Sequence, residues 1–313
     1  MGKVYESIDE LVGNTPLLHL KRIETKFKLK GRLFGKCECF NPAFSVKDRI
    51  AKHMLEKVPF TKINKNTIFV EATSGNTGIG LAAMCAAKGY KLVIIMPENM
   101  TKERIVMMKH LGAEVILTPK EDGMKGALNK AHILAEKNKD VIILNQFENE
   151  ANPEAHALTT ATEIIEDLSG NVDVLVAGVG TSGTLTGTSK VLKTCNPDLY
   201  VVAVEPKSSP MLSEGHAGAH KIPGIGANFV PPFYDKNLVN EVITIEDEDA
   251  FKGAKICSTL QGLAIGISAG AALKAAIEVG KRDEMKGKNI VVIFPDAIER
   301  YLSMRYFEDE VLK

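Results

Sequence analysis

Residues 66–97 read NTIFVEATSGNTGIGLAAMCAAKGYKLVIIMP, and this stretch decides the fold. NTIFVEA (66–72) and YKLVIIMP (90–97) are apolar runs of strand length. TGIGLAAMCAAKG (77–89) between them is a small-residue helix that ends on glycine. Strand, helix, strand at this spacing is a parallel crossover unit. The strands are continuously apolar rather than alternating, as expected when helices cover both faces of a parallel sheet.

The pattern extends outward. TKERIVMMKHLG (101–112) reads as a helix, AEVILTP (113–119) as a strand, GALNKAHILAEKN (126–138) as a helix and VIILNQ (141–146) as a strand. PEAHALTTATEIIEDL (153–168), GTLTGTSKVLKTC (183–195), DAFKGAKICSTLQG (249–262) and SAGAALKAAIEVGKR (268–282) read as helices. VDVLVAG (172–178), LYVVAVEP (199–206) and NIVVIFP (289–295) read as strands. The class is therefore α/β, with doubly wound sheets. At 313 residues about two domains are expected. Their join falls near Asn145–Pro153, giving an N-terminal region 1–145 and a larger region 146–313. The stretch 207–246, rich in Gly, Pro and Ser, reads as an ordered active-site loop region.

Three strand-to-helix turns carry small polar residues. Thr73-Ser74-Gly75-Asn76-Thr77-Gly78 brings hydroxyls, an amide and backbone N–H groups to a helix start, which makes an anion site. Gly178-Val179-Gly180-Thr181-Ser182-Gly183-Thr184 fits GxGxxG, and Glu205 ends the next strand. Taken alone, this turn serves a dinucleotide or a single phosphate equally well. Gly266-Ile267-Ser268-Ala269-Gly270 is the third. There is no Walker A lysine, HExxH or GxSxG.

A fourth stretch, NPAFSVKDRI (41–50), places Lys47 in the first turn of a helix that starts at Ser45, with Asp48 in the capping-box position. A cation is disfavoured where the helix dipole is already positive, and Ala51 and Met54 lie on the same side. Both effects push a lysine toward its neutral, nucleophilic form. The competing account of this stretch alone is a solvated face made of Lys47, Asp48 and Arg49.

Composition narrows the partners. Thirty-nine basic residues balance thirty-nine acidic ones, which argues against nucleic acid or an anionic membrane surface. No apolar run is long enough to span a bilayer, and MGKVYESIDELVG lacks the apolar core of a signal peptide. Five cysteines, an odd number, fit reduced thiols in a cytoplasmic protein. Cys37 and Cys39 fall on one face of LFGKCEC and read as packing residues. HAGAH (216–220) reads as a loop, and no metal site is expected.

Taken together, the first-turn lysine, the hydroxyl–amide loop, the Gly/Thr/Ser loop and the helix-start serine resemble the cysteine synthase (O-acetylserine sulfhydrylase) family of fold type II pyridoxal-phosphate enzymes. The resemblance runs from LVGNTPLLHL (11–20) through NPAFSVKDRI, EATSGNTGIGLA, GTSGT and GIGANFVP to ERYLS (299–303). It implies that Lys47 forms the Schiff base with pyridoxal 5′-phosphate and acts as general base. Asn76 would bond the ring hydroxyl. Gly180, Thr181, Ser182, Gly183 and Thr184 would hold the phosphate, and Ser268 would face the pyridine nitrogen. Thr73, Ser74, Gly75, Thr77 and Gln146 would bind the substrate carboxylate. The implied reaction converts O-acetyl-L-serine and sulfide to L-cysteine and acetate. The resemblance further implies a homodimer, a small mobile domain of about residues 40–145, the first ~35 residues packing on the other domain, and a serine acetyltransferase C-terminal tail as partner.

Three departures from the family pattern bear on substrate choice. GIGANF (224–229) carries Asn228 where GIGAGF is usual, so Asn228 is either a contact for a second amino-acid substrate or a loop change. TTATEI (159–164) replaces TTGPEI, and PDAIERY (295–301) replaces PSSGERY. Asp296 near the ring would alter the weak electron sink that a serine leaves. Serine or cysteine as donor, giving cystathionine, lanthionine or hydrogen sulfide, is therefore the alternative. A cofactor-binding scaffold without turnover and a dinucleotide-dependent dehydrogenase are the readings from other classes.

Overall fold

A computed structural model describes residues 4–100 and 102–304; Thr101, which opens one expected helix, lies outside them. Tertiary contacts divide the chain into two compact units, Met1–Val12 with Asn41–Asn152, and Gly13–Phe40 with Pro153–Lys313.

The first unit holds α2 (Lys47–Glu56), β3 (Ile68–Ala72), α3 (Asn76–Lys88), β4 (Lys91–Pro97), α4 (Lys102–His110), β5 (Glu114–Thr118), α5 (Gly123–Lys137) and β6 (Val141–Ile143). The second begins with β1 (Leu17–His19), α1 (Lys21–Phe27) and β2 (Arg32–Cys37). The first unit's sheet is fully parallel in the order β5-β4-β3-β6, so β3 is an interior strand. Its core is aliphatic: Val70, Ala72, Val93 and Ile95 face Ala127 and Ala131 of α5. The apolar runs that defined β3 and β4 in the sequence are buried almost throughout.

Next along the chain come α6 (Ala151–Ala155), a π-helical segment His156–Thr160, and α7 (Ala161–Leu168). The second unit continues with β7 (Val174–Gly178), α8 (Gly183–Cys195), β8 (Tyr200–Pro206), β9 (Glu241–Ile245), α9 (Asp247–Gln261), α10 (Ile267–Gly280) and β10 (Asn289–Phe294). Its six strands run in the order β1-β2-β10-β7-β8-β9, parallel except for β1 against β2. Two apolar layers cover this sheet, one centred on α10 and one on α8.

Several elements differ from the sequence-based expectation. β9 lies inside 207–246, where only loop was expected; EVITI adds in parallel to the edge of β8. β6 stops at Ile143 because Asn145 takes a left-handed φ of +51°. The helix expected over 153–168 begins at Ala151 and is interrupted by the π segment.

Three of the five cysteines are packing residues. Cys37, Cys85 and Cys257 are buried, and burial pushes their thiols up to about 12. Lys36, also on β2, is fully buried. Its Nζ donates to the Thr15 carbonyl at 2.7 Å and pairs with Glu163 at 2.9 Å and Asp167 at 3.2 Å on α7.

Candidate active site

In the first unit the site begins at α2. The helix starts at Lys47, two residues later than expected from Ser45. The residue before the helix is Val46, and the Lys47 N–H donates to Ser45 Oγ at 3.3 Å. Asp48 Oδ1 accepts the Ser45 hydroxyl at 3.5 Å. Its Oδ2 accepts the Ala43 N–H at 2.6 Å. Asp48 and Arg49 are 0 % and 2 % exposed, which removes the solvated-face account of this stretch. Lys47 is half-buried at the helix start.

The helix α3 lies directly against this turn. A Cβ on Gly80 would sit 3.2 Å from both the Lys47 carbonyl and Asp48 Oδ1, so only glycine leaves the two backbones their present approach. Asn76, the first residue of α3, stands one turn before Gly80 on the same face. Lys47 and Asn76 are thus the opening residues of two helices packed start to start.

The turn between β3 and α3 is the hydroxyl–amide loop. The Gly75 N–H donates to Thr73 Oγ1 at 3.3 Å, and Thr73 and Thr77 are buried. The Thr77 hydroxyl donates to Gln146 Oε1 at 2.7 Å, joining two residues 69 positions apart. Gln146 is itself fixed, its carbonyl accepting Asn152 Nδ2 at 2.7 Å and its N–H donating to Glu71. Ser74 and Gly75 stay half-exposed at the mouth of this turn.

In the second unit the Gly/Thr/Ser loop leads into α8. Ser182 holds φ +68° as the residue before the helix, and the Gly183 N–H donates to Thr181 Oγ1 at 3.4 Å. α8 is thirteen residues long, so its free N–H groups form an anion-binding end. A Cβ on Gly180 would fall 2.3 Å from the Gly224 carbonyl oxygen; the 178–184 and 224–228 loops touch there backbone to backbone. A Cβ on Gly224 would in turn lie 4.0 Å from Ser268 Oγ, so the Gly/Thr/Ser loop, the GIGANF loop and the start of α10 converge.

Two residues that sequence reasoning passed over support these loops. His156, fully buried in the π segment, bonds Thr160 Oγ1 through Nδ1 at 2.9 Å and Thr184 Oγ1 through Nε2 at 3.1 Å. Its signal was a histidine at the helix start, three residues before the departure TTATEI. Glu71 is the other: an acid inside an apolar strand, two residues before Thr73.

The departures also have places. Asn228 is exposed with φ +64°, and its Oδ1 accepts the Ser209 hydroxyl at 2.9 Å. Glycine fits the same left-handed backbone, and asparagine is the side chain that tolerates it best. Asp296 is buried beside Gly266, whose N–H donates to the Asp296 carbonyl at 2.9 Å, and it receives the Tyr301 hydroxyl.

HAGAH forms an irregular loop, with His220 bonded to the Gly226 carbonyl at 2.9 Å. No group of three or more potential metal ligands occurs among the described residues. Nor is any helix there long and apolar enough to cross a membrane.

The first unit thus opens two neighbouring helices on a lysine and an amide, and the second carries a glycine loop at a helix N-terminus and a buried serine at the start of α10. The family model "pyridoxal-phosphate dependent enzyme" matches residues 8–296, and the chain belongs to that family. Cysteine synthase A of Escherichia coli strain K12 is 46% identical over 319 residues, covering 99% of this chain and 97% of that protein. The crystal structure of a hydrogen sulfide-producing enzyme from Fusobacterium nucleatum superposes with a TM-score of 0.92 at 44% identity, covering 96% of this chain and 99% of that one. A cysteine synthase structure from Entamoeba histolytica gives 0.94 at 39% identity, covering 98% and 91%. The chain is an α/β enzyme that depends on pyridoxal phosphate and acts on small molecules.

The residues present fit that cofactor. A phosphate needs backbone donors unobstructed by a Cβ, and Gly180 and the start of α8 would supply them. The ring nitrogen suits a hydroxyl partner, and Ser268 is buried at 4 % exposure beside Gly224.

Proposed function

We propose that the chain makes L-cysteine by β-replacement, exchanging the acetoxy group of O-acetyl-L-serine for sulfide. The observation that carries this reading is Lys47. It opens α2 against Gly80 of α3, within a chain 46% identical to a cysteine synthase over almost all of both lengths.

Lys47 would bind the cofactor aldehyde and Asn76 its ring hydroxyl. Gly180, Thr181, Ser182, Gly183 and Thr184 hold the phosphate, and Ser268 accompanies the pyridine nitrogen. Bound there, pyridoxal phosphate delocalises the negative charge left at Cα when its proton is removed. The chain does the rest. Thr73, Ser74, Gly75, Thr77 and Gln146 bind the substrate carboxylate and orient Cα. The Lys47 amine would take the Cα proton, and acetate would leave from Cβ. Sulfide then adds at Cβ, Lys47 returns the proton to Cα, and cysteine departs, as two half-reactions. His156 orients the Thr184 hydroxyl from behind. The enzyme is a cytoplasmic homodimer that accepts the C-terminal tail of a serine acetyltransferase.

A second reading follows from the Fusobacterium neighbour and from Asn228: serine or cysteine as donor, with hydrogen sulfide, cystathionine or lanthionine as product. The loaded enzyme given O-acetylserine, serine or cysteine, each with and without sulfide, separates the two. Acetate and cysteine released only from O-acetylserine establish the first reading. Sulfide released from cysteine alone, at a greater rate, establishes the second.

A further inference from the structure

Glu71 is 2 % exposed in the interior strand β3, and the reaction above gives it no task. Its Oε1 accepts the Gln146 N–H at 3.3 Å, and the Asn145 N–H also bonds the carboxylate. Its Oε2 is buried with no hydrogen-bond partner among the described residues. Carboxylates are rarely buried without a cation, because burial strips the charge of its water. Here burial raises the carboxyl to about 7, against the pull of the two amides. The charged residues on the elements packed around β3 are Lys91 of β4 and Lys125, Lys130, His132, Glu136 and Lys137 of α5; β6 has none. No charged side chain contributes to the shift.

What the carboxylate holds is informative. Asn145 adopts its left-handed φ at the end of β6, and this turns the 145 and 146 N–H groups back toward β3. Gln146 then has its N–H on Glu71, its carbonyl on Asn152 and its side-chain oxygen on Thr77. Its Nε2 group is left as the donor for a ligand. We propose that Glu71 is a positioning residue for the amino-acid substrate: its ionised carboxylate clamps the Asn145–Gln146 turn and so sets the Gln146 amide and Thr77 hydroxyl, and protonation at Oε2 loosens that clamp. This rests on the reading of residues 73–77 and 146 as the carboxylate site. An ionised acceptor binds two amides more strongly than a neutral carboxyl, whose hydroxyl has no acceptor here. Substrate affinity therefore weakens as pH falls through the Glu71 midpoint, while chemistry at Cα, distant in sequence and bonding from Glu71, does not.

Glu71→Gln keeps an oxygen for the amides and removes the titration. The test compares KM and kcat for O-acetylserine in the wild-type and Glu71→Gln holoenzymes across that midpoint, so that ionisations common to both cancel. The wild-type to variant KM ratio should rise on the order of 3- to 10-fold toward low pH, the worth of charge assistance in one hydrogen bond, with the kcat ratio flat. A ratio that stays flat or falls toward low pH overturns the proposal; the second result would mean that the charge repels the substrate carboxylate.

A second measurement needs no turnover. A raised carboxyl pKa means that the native state holds its proton more tightly than the unfolded chain does, so stability is lost as pH rises from the unfolded value through about 7. The Tm of Glu71→Gln minus that of the wild type should therefore grow with pH and level off above that point. A constant difference overturns the titration. If O-acetylserine is not turned over but the Tm difference titrates, the reaction reading has failed and the buried acid stands. If turnover is normal and the KM ratio flat, the reverse holds.

Discussion

Replacing Lys36 with methionine tests the packing of the second unit where its energetics are largest. The Lys36 ammonium is fully buried and satisfies three acceptors: the Thr15 carbonyl at 2.7 Å, Glu163 at 2.9 Å and Asp167 at 3.2 Å. Thr15 in turn donates to the buried Glu38 at 2.7 Å, so one ammonium sets the path of the chain into β1. Methionine matches the stem and fills the volume, so the loss is electrostatic rather than a cavity. Removing one partner of a buried pair costs ~3–5 kcal/mol, because the other charge stays behind. Asp167 is 39% exposed and recovers water, so its share is small. Glu163 at 11% does not, although it keeps the Asn14 and Thr15 amides at 2.8 and 3.3 Å. The expected loss is about 3 kcal/mol, a fall of roughly 5–10 °C in Tm. Denaturant midpoints for the wild type, Lys36→Met, Glu163→Gln and the double variant form a thermodynamic cycle. The double variant should recover at least ~1 kcal/mol of the Lys36→Met loss, because it no longer buries a lone carboxylate. A single-variant loss below ~0.5 kcal/mol, or no recovery in the double, would refute the reasoning.

Three further substitutions probe the site. Gly180→Ala places a methyl 2.3 Å from the Gly224 carbonyl, so the loops must part by about 1 Å; pyridoxal phosphate affinity by equilibrium dialysis should drop at least roughly tenfold. Thr77→Val keeps the shape but leaves the buried Gln146 oxygen without its donor; thermal unfolding should show a loss of ~1–2 kcal/mol, and the KM for the amino-acid substrate should rise. Asn228→Gly trades the Ser209 hydrogen bond for an unstrained left-handed residue and should change stability by less than ~1 kcal/mol. If Asn228 reads a second amino-acid substrate, that variant shifts product ratios toward cysteine with Tm unchanged. Unaltered ratios would make Asn228 a backbone device only.

Where local signals and tertiary structure agree, the fold was readable from the chain. α8 spans 183–195, as its glycine start and apolar spacing require, and β3, α3 and β4 follow the opening stretch within two residues. What was hidden depends on distant partners. EVITI, four β-branched residues in five, becomes β9 where β8 offers an edge, but the Gly-, Pro- and Ser-rich stretch before it masked that signal. The sequence of α2 favours a start at Ser45, but Asp48 turns to the Ala43 amide and the helix begins at Lys47. Thr77 and Gln146 appeared in the sequence as separate candidates, and the bond between them spans 69 positions. Glu71 could not be weighed from VEA alone, because its two amides come from the far end of the unit, 75 residues on. The π segment at His156–Thr160 leaves no periodic trace, and only its histidine pointed to the Thr184 hydroxyl.

The account turns on Lys47 as the residue that holds the cofactor. The direct measurement is to load the protein with pyridoxal phosphate, reduce it with borohydride, digest it and map the pyridoxyl group by mass spectrometry. The account predicts the label on the peptide containing Lys47, the first residue of α2. It also predicts no yellow colour and no label in Lys47→Ala. A label on another lysine, or a coloured Lys47→Ala protein that still releases acetate from O-acetylserine, would contradict it.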